Sequence, residues 1–192
     1  MRTLISTEEL RTGIAGLARR LEAHYQGQPL TIVALLNGSL LFLADLVREL
    51  RIPVEYDTLR VSAYRGEATT AGEVRVEVGQ VPAVRGRHLL LLDDILDTGA
   101  TLQAVGQLAL GWGALSVRTA VLLWKPDRTR AGFRPDDYVR QIPDVFVVGY
   151  GLDYNLQYRQ LPQIVELDLS AAEAGQGRSE EHTSELQSRV DI

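Results

Sequence analysis

The segment Leu89–Leu102, Leu-Leu-Leu-Leu-Asp-Asp-Ile-Leu-Asp-Thr-Gly-Ala-Thr-Leu, holds the densest chemistry in the chain. Its four leucines read as a strand buried on both faces and ending at Leu92. Acids follow at Asp93, Asp94 and Asp97, then Thr98, Gly99 and Thr101, then a helical stretch. A glycine-containing turn into a helix presents free backbone N–H groups, and the helix dipole adds to their pull on an anion. Thr98 and Thr101 can add hydroxyl donors, and Gly99 permits the tight backbone that a phosphate needs. Acids directly in front of a site for phosphate alone would repel the ligand. Beside a polyhydroxyl group they have a use, because a carboxylate accepts hydrogen bonds from two vicinal hydroxyls. The order of residues therefore describes a sugar-phosphate site. A solvated loop with an ordinary helix cap is the plain alternative.

A second candidate is Lys125, the only lysine among twenty basic residues. The chain uses arginine almost throughout, as a GC-rich genome favours, and a single retained lysine suggests a role that arginine cannot fill. Chance is the alternative. Cysteine is absent, which excludes disulfides and thiolate metal sites. The histidines show no metal-ligand spacing.

These residues need a scaffold, and the apolar periodicity supplies one. Helical spacing runs over Thr7–Tyr25 and resumes over Leu40–Leu50, with Asn37-Gly38-Ser39 breaking the chain between a buried strand at Leu30–Leu36 and the second helix. Val54–Val61 reads as a strand, Ser62–Gly72 as a loop, and Val74–Val78 as a half-exposed strand. A helix over Thr101–Leu110 and strands over Val117–Leu123 and Val145–Val148 complete the pattern. Strands alternating with helices predict an α/β fold with a mainly parallel twisted sheet flanked by helices. Its 192 residues suit one domain, here 1–170.

The Leu89–Leu102 segment closely resembles the phosphoribosyl pyrophosphate (PRPP) signature of the type I phosphoribosyltransferases. Four further segments resemble the hypoxanthine-guanine branch of that family. They are Leu36-Asn37-Gly38-Ser39 as the pyrophosphate loop, Ser62-Ala63-Tyr64 as the lid, Leu122–Pro126 as the lysine segment, and Phe146–Arg159 as the base-and-pyrophosphate segment. The resemblance spans about residues 5–167. It implies a small hood built from the N- and C-terminal segments, a homo-oligomer (dimer or tetramer), and a purine salvage reaction using Mg²⁺, PRPP and an oxopurine base.

The resemblance also implies roles. Asp93 and Asp94 hold the ribose hydroxyls and help to place Mg²⁺, with Asp153 at a second metal position. Asp93 is one methylene shorter than the glutamate often found there. Thr98, Gly99, Ala100 and Thr101 cradle the phosphate, although Ala100 stands where a lysine is common. Asp97 is the candidate base for the purine N–H; a helix N-cap is its other reading. Lys125 donates to the purine 6-oxo group, and an ammonium has no acceptor for an exocyclic amine; a surface lysine is the alternative. Phe146 stacks on the base or fills the core, and Val147 offers backbone groups to the base edge. Gly38, Asn37 and Arg159 face pyrophosphate. Asn37 replaces a common Lys or Arg, and Leu36–Asn37 is the bond expected to be cis. Ser62 and Tyr64 form a lid, or belong to an ordinary mobile loop.

Three other readings are weighed against this one. An RNA-binding regulator on the same fold needs a basic face, whereas the chain carries a net charge of −5. A phosphoribosyltransferase for xanthine or another base differs only in specificity, and a non-catalytic sugar-phosphate binder has no use for Asp97. No charged-then-apolar segment opens the chain and no apolar run approaches membrane-spanning length, so a cytoplasmic site of action with no membrane or nucleic-acid partner is expected.

The last stretch reads differently from the rest. From Arg178 it runs Arg-Ser-Glu-Glu-His-Thr-Ser-Glu-Leu-Gln-Ser, the translation of a common sequencing adapter, after an Ala/Gly-rich linker at 171–177. Residues 178–192 are therefore expected to be non-native; a native acidic tail is the alternative. They carry two arginines and four acids, so without them the net charge moves from −5 to −3. Deleting 178–192 is expected to leave thermal melting and nucleotide formation unchanged. A loss of either would show that the tail packs on the domain.

Overall fold

The computed structural model describes residues 1–64, 75–78 and 80–169. The linker and tail expected at 171–192, and most of the expected 62–72 loop, lie outside the described residues. Strand β1 (Arg2–Ile5) leads into helix α1 (Thr7–Tyr25). Ser6 caps α1 in a reciprocal box: its hydroxyl accepts from the Glu9 N–H at 3.3 Å, and the Glu9 carboxylate accepts from the Ser6 N–H at 2.9 Å. Leu10, Ile14, Leu17, Ala18 and Leu21 form the buried stripe that the periodicity predicts. The chain then passes through β2 (Leu30–Leu36), α2 (Leu40–Glu49), β3 (Val54–Tyr64), β4 (Arg75–Val78), β5 (His88–Leu96), α3 (Ala100–Gly111), β6 (Ser116–Trp124), β7 (Asp137–Gln141), β8 (Val147–Val148) and β9 (Ile164–Glu166).

Six strands form the main sheet in the order β4-β3-β2-β5-β6-β7. Every pairing in it is parallel except β3 with β4. Alternation along β5 explains the leucine run. Leu90 and Leu92 face a core shared with α1 and α2, while Leu89 and Leu91 face a second core with Val105 and Ala109 of α3. All four leucines are fully buried. A smaller antiparallel sheet, β1-β9-β8, joins the two ends of the domain as the expected hood. It is anchored to the body by Tyr150, whose hydroxyl donates to the Asp45 carboxylate on α2.

Three boundaries differ from expectation by two or more residues; one is β8, which starts at Val147 where a strand from Val145 is expected. β5 does not end at Leu92 but continues to Leu96, because its neighbour β6 extends equally far and pairs Asp93 with Val121 and Leu96 with Trp124. Asp93 and Asp94 thus sit on a strand. Ser62 and Tyr64 also lie in a strand, since β3 runs past Val61 to pair Tyr64 with Arg75 of β4. Strands β1, β7 and β9 show no readable pattern in the sequence. Each is three to five residues long, and β7 (Asp-Tyr-Val-Arg-Gln) is a charged edge strand of the main sheet.

Burial sets the expected cost of truncation. Leu91→Ala should lower the unfolding free energy by about 2–5 kcal/mol, the usual range for a sealed leucine site. Leu108→Ala, on the open face of α3 at 39% exposure, should change it by about 0.5 kcal/mol or less. Urea denaturation of both variants measures the difference.

Candidate active site

The carboxyl ends of the parallel strands collect the predicted residues, where open α/β sheets place their ligands. At the end of β2 the Leu36–Asn37 peptide is cis, as expected, and Gly38 follows. A Cβ added to Gly38 would lie 1.5 Å from an Asp94 oxygen, and one added to Gly151 would lie 2.1 Å from the Gly38 carbonyl oxygen. The backbone of Gly151 is therefore packed on that of Gly38, and the Asp94 side chain packs on the Gly38 backbone. Gly151, at φ 99°, is held from its other side by Arg159, which donates to its carbonyl. Arg159 also pairs with Asp153 at 2.6 Å, and Asp153 accepts from the Leu156 N–H at 2.9 Å. Around this knot Tyr150, Asn155, Leu156 and Tyr158 all adopt positive φ, a conformation that is uncommon outside glycine.

Asp93 and Asp94 are half-buried at the end of β5. Burial pushes the Asp93 carboxyl well above the usual carboxylate range, and the adjacent Asp94 charge adds to the shift. Burial also raises Asp94, against the pull of its hydrogen bonds and of the Arg159 charge. Crowding of the two carboxyls thus disfavours their simultaneous ionisation.

Gly99, with φ 81°, is the N-cap that precedes helix α3 and makes no side-chain capping bond. This removes the N-cap reading of Asp97. A Cβ on Gly99 would meet the Phe133 ring at 2.4 Å, so the ring closes one side of the turn. Thr98 and Thr101 are partly exposed beside it, Ala100 is buried, and the first N–H groups of α3 have no partner within the helix.

Lys125, at the end of β6, is only 9% exposed, which removes the surface-lysine reading. Its N–H donates to the Leu96 carbonyl at 3.0 Å, so it neighbours the acidic turn, and its ammonium stands 3.4 Å from Asp144. Phe146 is 37% exposed and meets Tyr154 edge to face at 5.7 Å, so it is not a core aromatic. Val147 is buried in β8. Ser62 and Tyr64 are carried on β3, the strand next to β2.

Three residues of the site escaped the sequence reading. Arg128 forks onto Asp97, Asp144 lies beside Lys125, and the Thr129 hydroxyl stands 3.0 Å from the Asp97 carbonyl and 2.8 Å from the Lys125 carbonyl. The available signal was the charged turn Lys-Pro-Asp-Arg-Thr that follows β6 directly.

A mainly parallel sheet with paired acids and a glycine turn into a helix on its central strand, capped by a hood of chain ends, has the architecture of a phosphoribosyltransferase. The phosphoribosyl transferase domain family matches residues 6–155, and the chain belongs to that family. Within it, a hypoxanthine-guanine phosphoribosyltransferase of Staphylococcus aureus is 35% identical over 161 residues, covering 84% of this chain and 90% of that protein. A crystal structure of hypoxanthine phosphoribosyltransferase from Staphylococcus aureus superposes with a TM-score of 0.81 at 34% identity, covering 89% of this chain and 93% of the other. The Trypanosoma cruzi hypoxanthine phosphoribosyltransferase in a ternary substrates complex gives 0.80 at 36% identity, covering 88% and 95%.

The raised carboxyls predict an opposition between stability and binding. A carboxyl that folding makes less acidic destabilises the fold increasingly as pH rises from its unfolded value of about 3.9 through its folded one. At neutral pH that cost is present, so Asp93→Asn should raise the melting temperature of the ligand-free protein while weakening its affinity for PRPP. At pH 4 the stability gain should shrink. Melting curves at the two pH values, with a PRPP titration, check both halves.

Proposed function

We propose that the chain transfers ribose 5-phosphate from PRPP to a ring nitrogen of hypoxanthine or guanine, releasing pyrophosphate and forming IMP or GMP. The observation that carries this reading is the burial of the only lysine in the chain beside the acid-and-phosphate turn, where a donor-only group selects an oxo substituent. Asp93 and Asp94 accept from the ribose hydroxyls. The turn from Thr98 to Thr101 takes the 5-phosphate on hydroxyls and helix N–H groups. Asn37, Gly38 and Arg159 face the pyrophosphate, with Arg159 oriented by Asp153. Phe146 offers an open ring face to the base and Val147 its backbone, while Asp97 receives the proton that the purine loses. Ser62 and Tyr64 shield the cationic ribose from water.

Among the described residues no group of three acids or histidines could cage a metal. Mg²⁺ does not require such a cage: it prefers one or two carboxylates, retained waters and substrate phosphate oxygens. The crowded Asp93–Asp94 pair fits that demand, and Asp153 would contribute once drawn from Arg159. When bound, the ion supplies charge neutralisation for the departing pyrophosphate. Among the described residues no helix is long and apolar enough to cross a membrane, and the setting proposed for the reaction is the cytoplasm. A dimer or tetramer follows from the family resemblance.

A panel of bases incubated with PRPP and Mg²⁺ tests the reaction, and failure to convert either hypoxanthine or guanine would sink it. Asp97→Asn should slow single-turnover chemistry by about 10²–10⁴-fold with little change in PRPP affinity. Asp94→Asn should instead weaken PRPP binding, because the ribose contact precedes the reaction. An Asp97→Asn enzyme with near-normal chemistry would remove Asp97 as the base.

A further inference from the structure

Four charged side chains alternate in sign across the ends of β5 and β6. Arg128 donates from Nε and Nη2 to the two oxygens of Asp97 at 2.5 and 3.1 Å, and its Nη1 stands 3.5 Å from Asp144 Oδ2. The other Asp144 oxygen stands 3.4 Å from Lys125 Nζ. Arg128 itself is held by the turn, where its N–H donates to the Lys125 carbonyl at 3.2 Å and the neighbouring Thr129 hydroxyl bridges both strand ends. The Arg128 and Asp97 side chains are 45% and 42% exposed, and an ion pair this open to water adds little to stability. Its geometry is what stands out. A two-point fork fixes both the position and the plane of a carboxylate, which a single contact cannot do.

We infer that Arg128 is a positioning residue for Asp97, and that Asp144 ties this pair to Lys125, so that the group receiving the purine proton and the group reading the purine oxo substituent are registered as one unit. The inference rests on the proposed role of Asp97. A carboxylate has about four lone-pair sites. The fork occupies two of them, leaving the others for the purine N–H. Neither charge nor proton passes through Arg128; it acts by orientation. Asp144, shared between a guanidinium and an ammonium, holds the spacing between the two ends.

A double-mutant cycle on the full-length enzyme tests this. Single-turnover rates with hypoxanthine, and PRPP affinities, are measured for the wild type, Arg128→Gln, Asp97→Asn and the combined variant. Arg128→Gln should slow the chemical step by about 10- to 100-fold, the scale of a misplaced reacting group, while PRPP affinity stays within about threefold. In the Asp97→Asn background the same change should cost less than about threefold, because the residue it orients no longer accepts a proton. Arg128→Lys, which keeps the charge and loses the fork, should recover only part of the rate, and it carries the cycle if Arg128→Gln does not fold. Equal losses in both backgrounds, or a normal rate for Arg128→Gln, would overturn the inference while leaving the proposed reaction intact. A wild-type enzyme that forms no nucleotide would remove both.

Discussion

The contact between Asp94 and the backbone of Gly38, with Gly151 seated on the carbonyl behind it, governs the geometry of the whole site. Neither glycine has room for a Cβ. That close approach joins three parts of the chain that are distant in sequence: the end of β2, the end of β5 and the hood. The parallel sheet sets the separation of the strand ends. The hood reaches them only because Tyr150, Asn155, Leu156 and Tyr158 bend the backbone through positive φ and Arg159 ties the bend to Asp153. The body of the domain is regular, and the irregular backbone is concentrated where ligands are expected.

The same arrangement carries an electrostatic cost. Two adjacent carboxyls are half-buried where their charge is disfavoured, and apolar leucines fill β5 directly behind them. A fold optimised for stability alone would place neutral residues there. Under the proposed function, sugar hydroxyls and a divalent ion would reverse the balance, since both interact best with the charged form. The stability of the domain and the occupancy of its site would then be linked through these two side chains.

The core was legible because its signals are local and periodic. Leu89 to Leu92, the stripe on α1 and the Asn37-Gly38 break each announce their structure within a dozen residues. The turn from the acids of β5 to Gly99 was legible as a strand-to-helix connection for the same reason, since one strand and one helix hold all of it. Arg128 and Asp144 were not, because their meaning arises only when the turn after β6 folds against the turn after β5. The ends of β5 and β3 were misjudged because a strand stops where its neighbours stop, and single-strand composition does not carry that information. The N-cap reading of Asp97, the surface reading of Lys125 and the core reading of Phe146 fall to capping and burial, which are tertiary properties.

A chain with one lysine has one side-chain amine. Reagents that acylate amines can modify only that group and the terminal Met1 amine. Lys125 lies almost sealed beside Asp144, so its rate of modification would report how often its ammonium is uncovered and freed from that carboxylate. Peptide mass, which separates Lys125 from the Met1 amine, would then follow the exposure of this one side chain with no residue changed.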